Sequence, residues 1–236
     1  MVAIKIVQPR NHFQASGNHW NWKLNMIPPT IRSQTWRQFC LCFSQPDNEL
    51  WEASLADGVF DCMAFNGNLL PHAIDLSNYQ FSPGISLDNF AQAYSSCFEV
   101  GNAPVSFHGR TYSNEAASKI FEELFRFYEH FGLDLKDSEN SNWPDSILME
   151  LDFMHYLSHL ESLAKSDEDV ASLQRAQLDF LNRHLIPLVT GISDKLYSLK
   201  IAPYDQLALL MFDYVNGDRD YLDRKVNSMP QVTTIE

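Results

Sequence analysis

Between Ser146 and Ala164 the chain carries apolar side chains around most of a helical circumference: Ile147, Leu148, Leu151, Phe153, Met154, Leu157, Leu160 and Leu163. A helix with one apolar stripe lies on a surface, whereas one that is apolar on most sides has to be enclosed. The run therefore predicts a helix at the centre of a bundle, and the rest of the chain must supply the helices around it. Pro144-Asp145-Ser146 opens the run, and either Asp145 or Ser146 is suited to cap its first turn. With 236 residues the chain can bury one sizeable core, and only nine glycines count against a turn-rich β fold.

The enclosing helices can be read from the 3.6-residue period. From Ser33 onward Trp36, Phe39, Cys40 and Phe43 share a stripe that Pro46 closes, and Leu50, Trp51 and Leu55 mark a second helix ending at Gly58. Asp61 to Pro83 has no sustained period and reads as a long connection. Ser86 caps a helix with Leu87, Phe90, Tyr94 and Cys97 on one face, ending near Gly101. After an irregular segment from Asn102 to Tyr112, Ser113 and Glu115 open a helix whose buried stripe is Ala117, Ile120, Leu124, Phe127 or Tyr128, and Phe131. Gly132 supplies its left-handed stop. Beyond the polar link from Asp134 to Asn142 and the central helix, three further helices are predicted. One starts at Asp167, with Val170, Leu173, Phe180 and Leu181 inward; one opens at Pro187 and one at Pro203. The expectation is an all-α, single-domain helical bundle over residues 33–224. An irregular N-terminal arm, residues 1–32, precedes it, with Trp20 and Trp22 packed on the body or a partner, and a loose tail, residues 225–236, follows.

Thirty acidic against seventeen basic residues give a formal charge of -13. That excess repels a polyphosphate and steers a basic partner, so nucleic acid is excluded and a segment rich in Arg or Lys is favoured. Cys40, Cys42, Cys62 and Cys97 lack metal or redox spacing and read as buried free thiols. This fits a reducing compartment. No apolar run approaches twenty residues and Met1 to Val7 is too short and mixed for a signal-peptide core, so the expected location is the cytoplasm.

Few residues suggest chemistry. His155 and His159 share a helical face with Asp152, so a metal site is geometrically possible, but Tyr156 stands where a zincin needs its general-base glutamate. Gly191-Ile192-Ser193 lacks the second glycine of a nucleophile elbow. Glu150 and Asp152 point about 200° apart on a helix and cannot easily share one substrate atom. The irregular stretch from Glu99 to Tyr112 is more suggestive, because a connection between rigid helices is where a bundle commonly exposes function.

Several motifs now stand in order: Phe43-Ser44-Gln45-Pro46, Phe98-Glu99-Val100-Gly101, Phe127 to Leu133, Trp143-Pro144-Asp145-Ser146, Glu150 to Met154, and the helix from Gln177 to Leu185. In this order and spacing, roughly from Ser33 to Tyr214, the chain resembles the TorD/DmsD/NarJ family of all-helical chaperones that mature complex molybdoenzymes. Phe-Glu-Val-Gly is similar to chaperones of the type II DMSO-reductase group. The resemblance implies a cytoplasmic, system-specific chaperone without catalytic residues, metal or cofactor. Its implied partner is the catalytic subunit of a molybdoenzyme, bound through a twin-arginine leader or N-terminal region and held from export until its cofactor is inserted. The implied state is a monomer or a helix-swapped dimer. Two positions depart from the pattern: Ser146 follows Asp145 where the family commonly has histidine, and the proline-rich loop is reduced to Ala103-Pro104-Val105-Ser106-Phe107.

A twin-arginine peptide, a basic pair before an apolar stretch, calls for carboxylates beside a greasy groove. The client-binding residues expected on that basis are Glu99, Phe107, His108, Arg110, Tyr112, Trp143, Pro144, Asp145, Ser146 and Glu150. The rival readings are a helical metal-dependent enzyme using Asp152, His155 and His159, and a scaffold subunit that stays in its final complex.

Overall fold

The computed structural model describes residues 28–46, 70–72, 74–79, 85–99, 103–133 and 143–228. Trp20 and Trp22, the helix expected over Leu50, Trp51 and Leu55, Cys62, Val100-Gly101, the link from Asp134 to Asn142 and the end from residue 229 lie outside them.

The described residues form helices with no β-strand among them, as the all-α reading requires. The main helices are α1 (Pro28–Phe43), α2 (Leu87–Phe98), α3 (Ala117–His130), α4 (Ile147–Leu163), α5 (Asp167–Phe180), α6 (Ile186–Leu199) and α7 (Tyr204–Asn227). Helix α4 is the enclosed one: Ile147, Leu151, Phe153, Met154 and Leu157 have no exposed surface. It packs along α1 on one side and α5 on another, while α6 and α7 pair beside them. No helix among the described residues is long and apolar enough to cross a membrane.

Local signals behave largely as expected. Ser86 Oγ accepts the Asn89 amide at the start of α2, and Ser166 Oγ accepts the Asp169 amide at the start of α5. Gly132 takes the left-handed conformation, φ 76°, that ends α3. Trp36, Phe39, Cys40 and Phe43 are all buried, and in α3 it is Tyr128, not Phe127, that is fully buried. Cys40, Cys42 and Cys97 are free and buried, and burial raises their thiols, Cys40 to about 12 and Cys97 to about 11.

Three element boundaries differ from expectation. Helix α1 begins at Pro28 and not at Ser33, because proline is tolerated in a first turn where amides have no intrahelical acceptor. The helices expected to start at Asp167 and Pro187 form one continuous helical run, α5 joined to α6 through a π turn at Leu181–Leu185. Pro187 has no amide to offer the preceding turn, and the wider turn lets the Ile186 amide reach Leu181 O. Helix α7 runs to Asn227, two residues past the expected start of the tail.

The early start of α1 brings Arg32 into the core at 1 % exposure. Its guanidinium grips both Asp218 carboxylate oxygens of α7 at 2.6 and 2.8 Å, Glu161 of α4 at 2.6 Å and Gln177 of α5 at 2.8 Å. Gln174 and Gln177 donate in turn to Glu161 at 2.7 and 2.8 Å. One buried network thus ties α1, α4, α5 and α7, with each charged group in it hydrogen-bonded as burial demands.

Candidate functional site

The first turn of α4 is where the bundle meets the irregular chain that precedes α3. Ser146 holds the N-cap position with extended backbone, but neither it nor Asp145 caps through its side chain. The Ile147 amide donates instead to Phe107 O at 2.8 Å, and the Gly109 amide donates to Asp145 O at 2.8 Å. His108 and Ser146 form an antiparallel bridge. Residues 103–116 are therefore a strap bonded across the helix start, which satisfies an amide that the helix leaves open. Tyr128 of α3 closes the arrangement by donating to Pro144 O at 2.8 Å.

Asp145 is buried beneath the strap. Its Oδ2 accepts the Arg110 amide at 3.0 Å and its Oδ1 accepts the Arg110 guanidinium at 3.1 Å, with His108 Nδ1 3.4 Å away. Burial raises the Asp145 carboxyl, but His108 and the amide and guanidinium of Arg110 outweigh it and hold the group below the ordinary carboxylate range. The Asp145 charge is thus matched inside the chain by Arg110 and His108. The Arg110 guanidinium also lies 4.7 Å from the Trp143 ring centroid and 5.4 Å from that of Phe121. Trp143 stacks on Phe121 at 5.7 Å and is 52 % exposed, so it is a surface platform and not a buried anchor.

Glu150 lies one turn further on, at 1 % exposure. Its Oε2 has no hydrogen-bond partner, and burial, helped by the Asp145 charge, pushes the carboxyl well above its ordinary range. Burial thus favours its neutral form. Glu150 lines a cleft of about 480 Å3 between the strap, α3 and the π turn, with Gly109, Ile120, Glu123, His184 and Leu188 among its other walls.

Tyr112 donates to Ser106 O at 2.9 Å and lays its ring against α6 at Gly191, where a Cβ would stand 2.2 Å from a ring carbon. Phe107 packs on Phe98 with centroids 4.4 Å apart. Of the ten expected residues, Phe107 to Tyr112 and Trp143 to Glu150 gather in one place. Glu99 stands off: it is exposed at the end of α2 and accepts the Ser95 hydroxyl at 2.9 Å. Phe121, Glu123 and His184 were not expected. Phe121 and Glu123 lie off the buried stripe of α3, and nothing in the sequence around His184 signals that a π turn aims it at α3.

The rival metal reading gains no support. Asp152 is engaged by Arg37 at 2.9 Å, and His155 Nδ1 lies 2.8 Å from both the hydroxyl and the carbonyl of Ser33. Among the described residues no group of three or more His, Cys, Asp or Glu side chains is placed to hold a metal ion.

Residues 76–192 match the family described as nitrate reductase delta subunit. Among curated proteins, a chlorate reductase assembly chaperone from Ideonella dechloratans is 28 % identical over 147 residues, covering 61 % of this chain and 65 % of that protein. A selenate reductase assembly chaperone from Thauera selenatis is 29 % identical over 194 residues, 80 % of this chain and 89 % of that protein. A dimethyl sulfide dehydrogenase assembly chaperone from Rhodovulum sulfidophilum is 27 % identical over 201 residues, 78 % of this chain and 77 % of that protein.

Proposed function

We propose that this chain, whose residues 76–192 match the nitrate reductase delta subunit family, is a cytoplasmic, non-catalytic chaperone for assembly of an oxyanion reductase or related dehydrogenase. The observation that carries the reading is the alignment with an assembly chaperone for selenate reductase along 89 % of that protein. The client is the catalytic subunit of a molybdenum-cofactor enzyme, engaged through its twin-arginine leader or N-terminal region and kept from export until the cofactor is in place.

The geometry supports a docking face at the strap and the start of α4. Trp143, Phe121 and the exposed Phe125 offer aromatic surface beside it for the apolar part of a leader. The formal charge of -13 favours the basic part, with an attraction that salt weakens. The test is affinity capture from the native host followed by mass spectrometry. A catalytic subunit still carrying its leader is the expected catch. Folded bait that retains no such subunit, or that is found in the mature enzyme, overturns the reading.

A further inference from the structure

Away from the start of α4, residues 70–72 and 74–79 lie against α7 and carry one histidine in a tightly fitted seat. The His72 side chain is 8 % exposed, and both of its ring nitrogens are buried without a hydrogen-bond partner. Its ring stands 5.2 Å from that of Tyr214, centroid to centroid, and fills the space over Gly217, where a Cβ would meet His72 Cδ2 at 2.5 Å. A larger residue at Gly217 would push the ring away. From the same segment Leu70 is buried in the core, and Ile74 and Tyr79 pack against it. Tyr79 makes a second attachment by donating its hydroxyl to Asp213 of α7. The segment is therefore held on α7 at two points, His72 and Tyr79, with the short helical turn Leu76–Asn78 between them.

What surrounds His72 decides what a proton does there. A buried imidazole takes up a proton favourably only where an unmatched carboxylate awaits it. Asp218 lies 3.8 Å from Nδ1, but both of its oxygens already hold Arg32, at 2.6 and 2.8 Å. Facing the ring are Arg32 from α1 and Tyr214, Asp218, Asp220 and Arg224 from α7. The two carboxylates favour the imidazolium, the two guanidiniums oppose it, and loss of water weighs most heavily against it. We propose that His72 is a proton-operated clasp: uncharged, it holds residues 70–72 and 74–79 on α7, and as an imidazolium it leaves for water and takes that segment with it. The bundle stays closed meanwhile, because Arg32 keeps its grip on Asp218, Glu161 and Gln177. Burial places the pKa of the docked ring below that of a ring in water. Docking is therefore fully supported above about pH 6.5 and weakens as pH falls below it, by at most about tenfold per pH unit. The clasp does not rest on the chaperone reading.

The test is amide hydrogen exchange of the whole chain between about pH 7.5 and about pH 5, corrected for the intrinsic pH dependence of exchange, with the ring resonances of His72 followed alongside. Protection of residues 74–79 should fall by up to about tenfold per pH unit below about pH 6.5 while that of α4 holds, and His72 should titrate below about 6.5. His72→Phe keeps a flat ring over Gly217 that takes no proton, so its segment should stay docked throughout that range. Tyr79→Phe removes the other attachment and should loosen the segment to the same extent at every pH. Protection that does not change with pH, or that changes as much in His72→Phe as in the parent, overturns the clasp. So does a His72 that titrates above about 6.5 in the parent, a readout that needs no variant, since the imidazolium would then pair with Asp218 and tighten the segment in acid.

Discussion

Glu150 is buried in the first turns of α4, and its chemistry differs from that of Asp145 five residues earlier because of what surrounds each. Asp145 finds an amide and a guanidinium; the buried Oε2 of Glu150 finds none. The folded pKa of Glu150 lies above its unfolded value, so the folded state holds the extra proton. Its contribution is intact below the unfolded pKa and is lost as pH rises toward the folded one. Glu150→Gln should thus match the parent near pH 4 and gain on it as pH climbs, by at most about 1.4 kcal/mol per pH unit. Urea denaturation across that range reads the difference, and parallel pH curves would refute it. Gly191 is a second residue-scale case, set by contact and not by conformation. With ring carbons of Tyr112 only 2.2 to 2.8 Å from a Cβ there, Gly191→Ala forces the strap off α6 at a cost of roughly 1–3 kcal/mol. The cost should shrink in a Tyr112→Ser background, measured as a double-mutant cycle.

At the scale of elements, the strap and the start of α4 form one unit, because each supplies the other's hydrogen-bond partners. Asp145 bonds Arg110 twice and puts a negative charge at the positive end of α4. Its folded pKa is depressed, so its stabilisation is present above the unfolded value and fades as pH falls through the folded one. Asp145→Asn should destabilise by about 1–2 kcal/mol at pH 7, a deficit that fades in acid as pH falls below the ordinary carboxylate range. Amide exchange at Gly109 and Ile147 should quicken in step, which checks that the strap loosens. A deficit independent of pH would show that shape, not charge, holds it. The π turn joining α5 to α6 is the other device at this scale: it carries His184 on the helical run that Pro187 would otherwise interrupt, and packs its ring edge-on to Phe127 of α3, with centroids 5.7 Å apart.

At the scale of the whole molecule, Arg32 joins the first helix to the last, bonding Asp218 of α7 across 186 residues of chain. Removing a guanidinium from between two buried carboxylates leaves them uncompensated, so Arg32→Met should cost about 3–5 kcal/mol in chemical denaturation. Arg32→Lys should recover only part, having one donor head for three partners; full recovery by lysine would refute the role of the fork. Periodicity made the bundle legible, because a helix apolar on most sides has few places to go, and the ordered motifs around Phe98, Trp143 and Asp145 lie within or beside residues 76–192, which match the nitrate reductase delta subunit family, and flank the place where strap and helix meet. Caps and stops at Ser86 and Gly132 were legible too, since they depend on neighbours a few residues away. Arg32 was read as the last residue of an arm, and Glu123 and His184 drew no notice, because their meaning lies in partners distant in the chain. The same holds for Asp145 and Glu150: both carboxylates stand out in the sequence, but which one is matched by Arg110 and which is left facing a cleft was decided by tertiary packing, since only distance and burial set a side chain's charge.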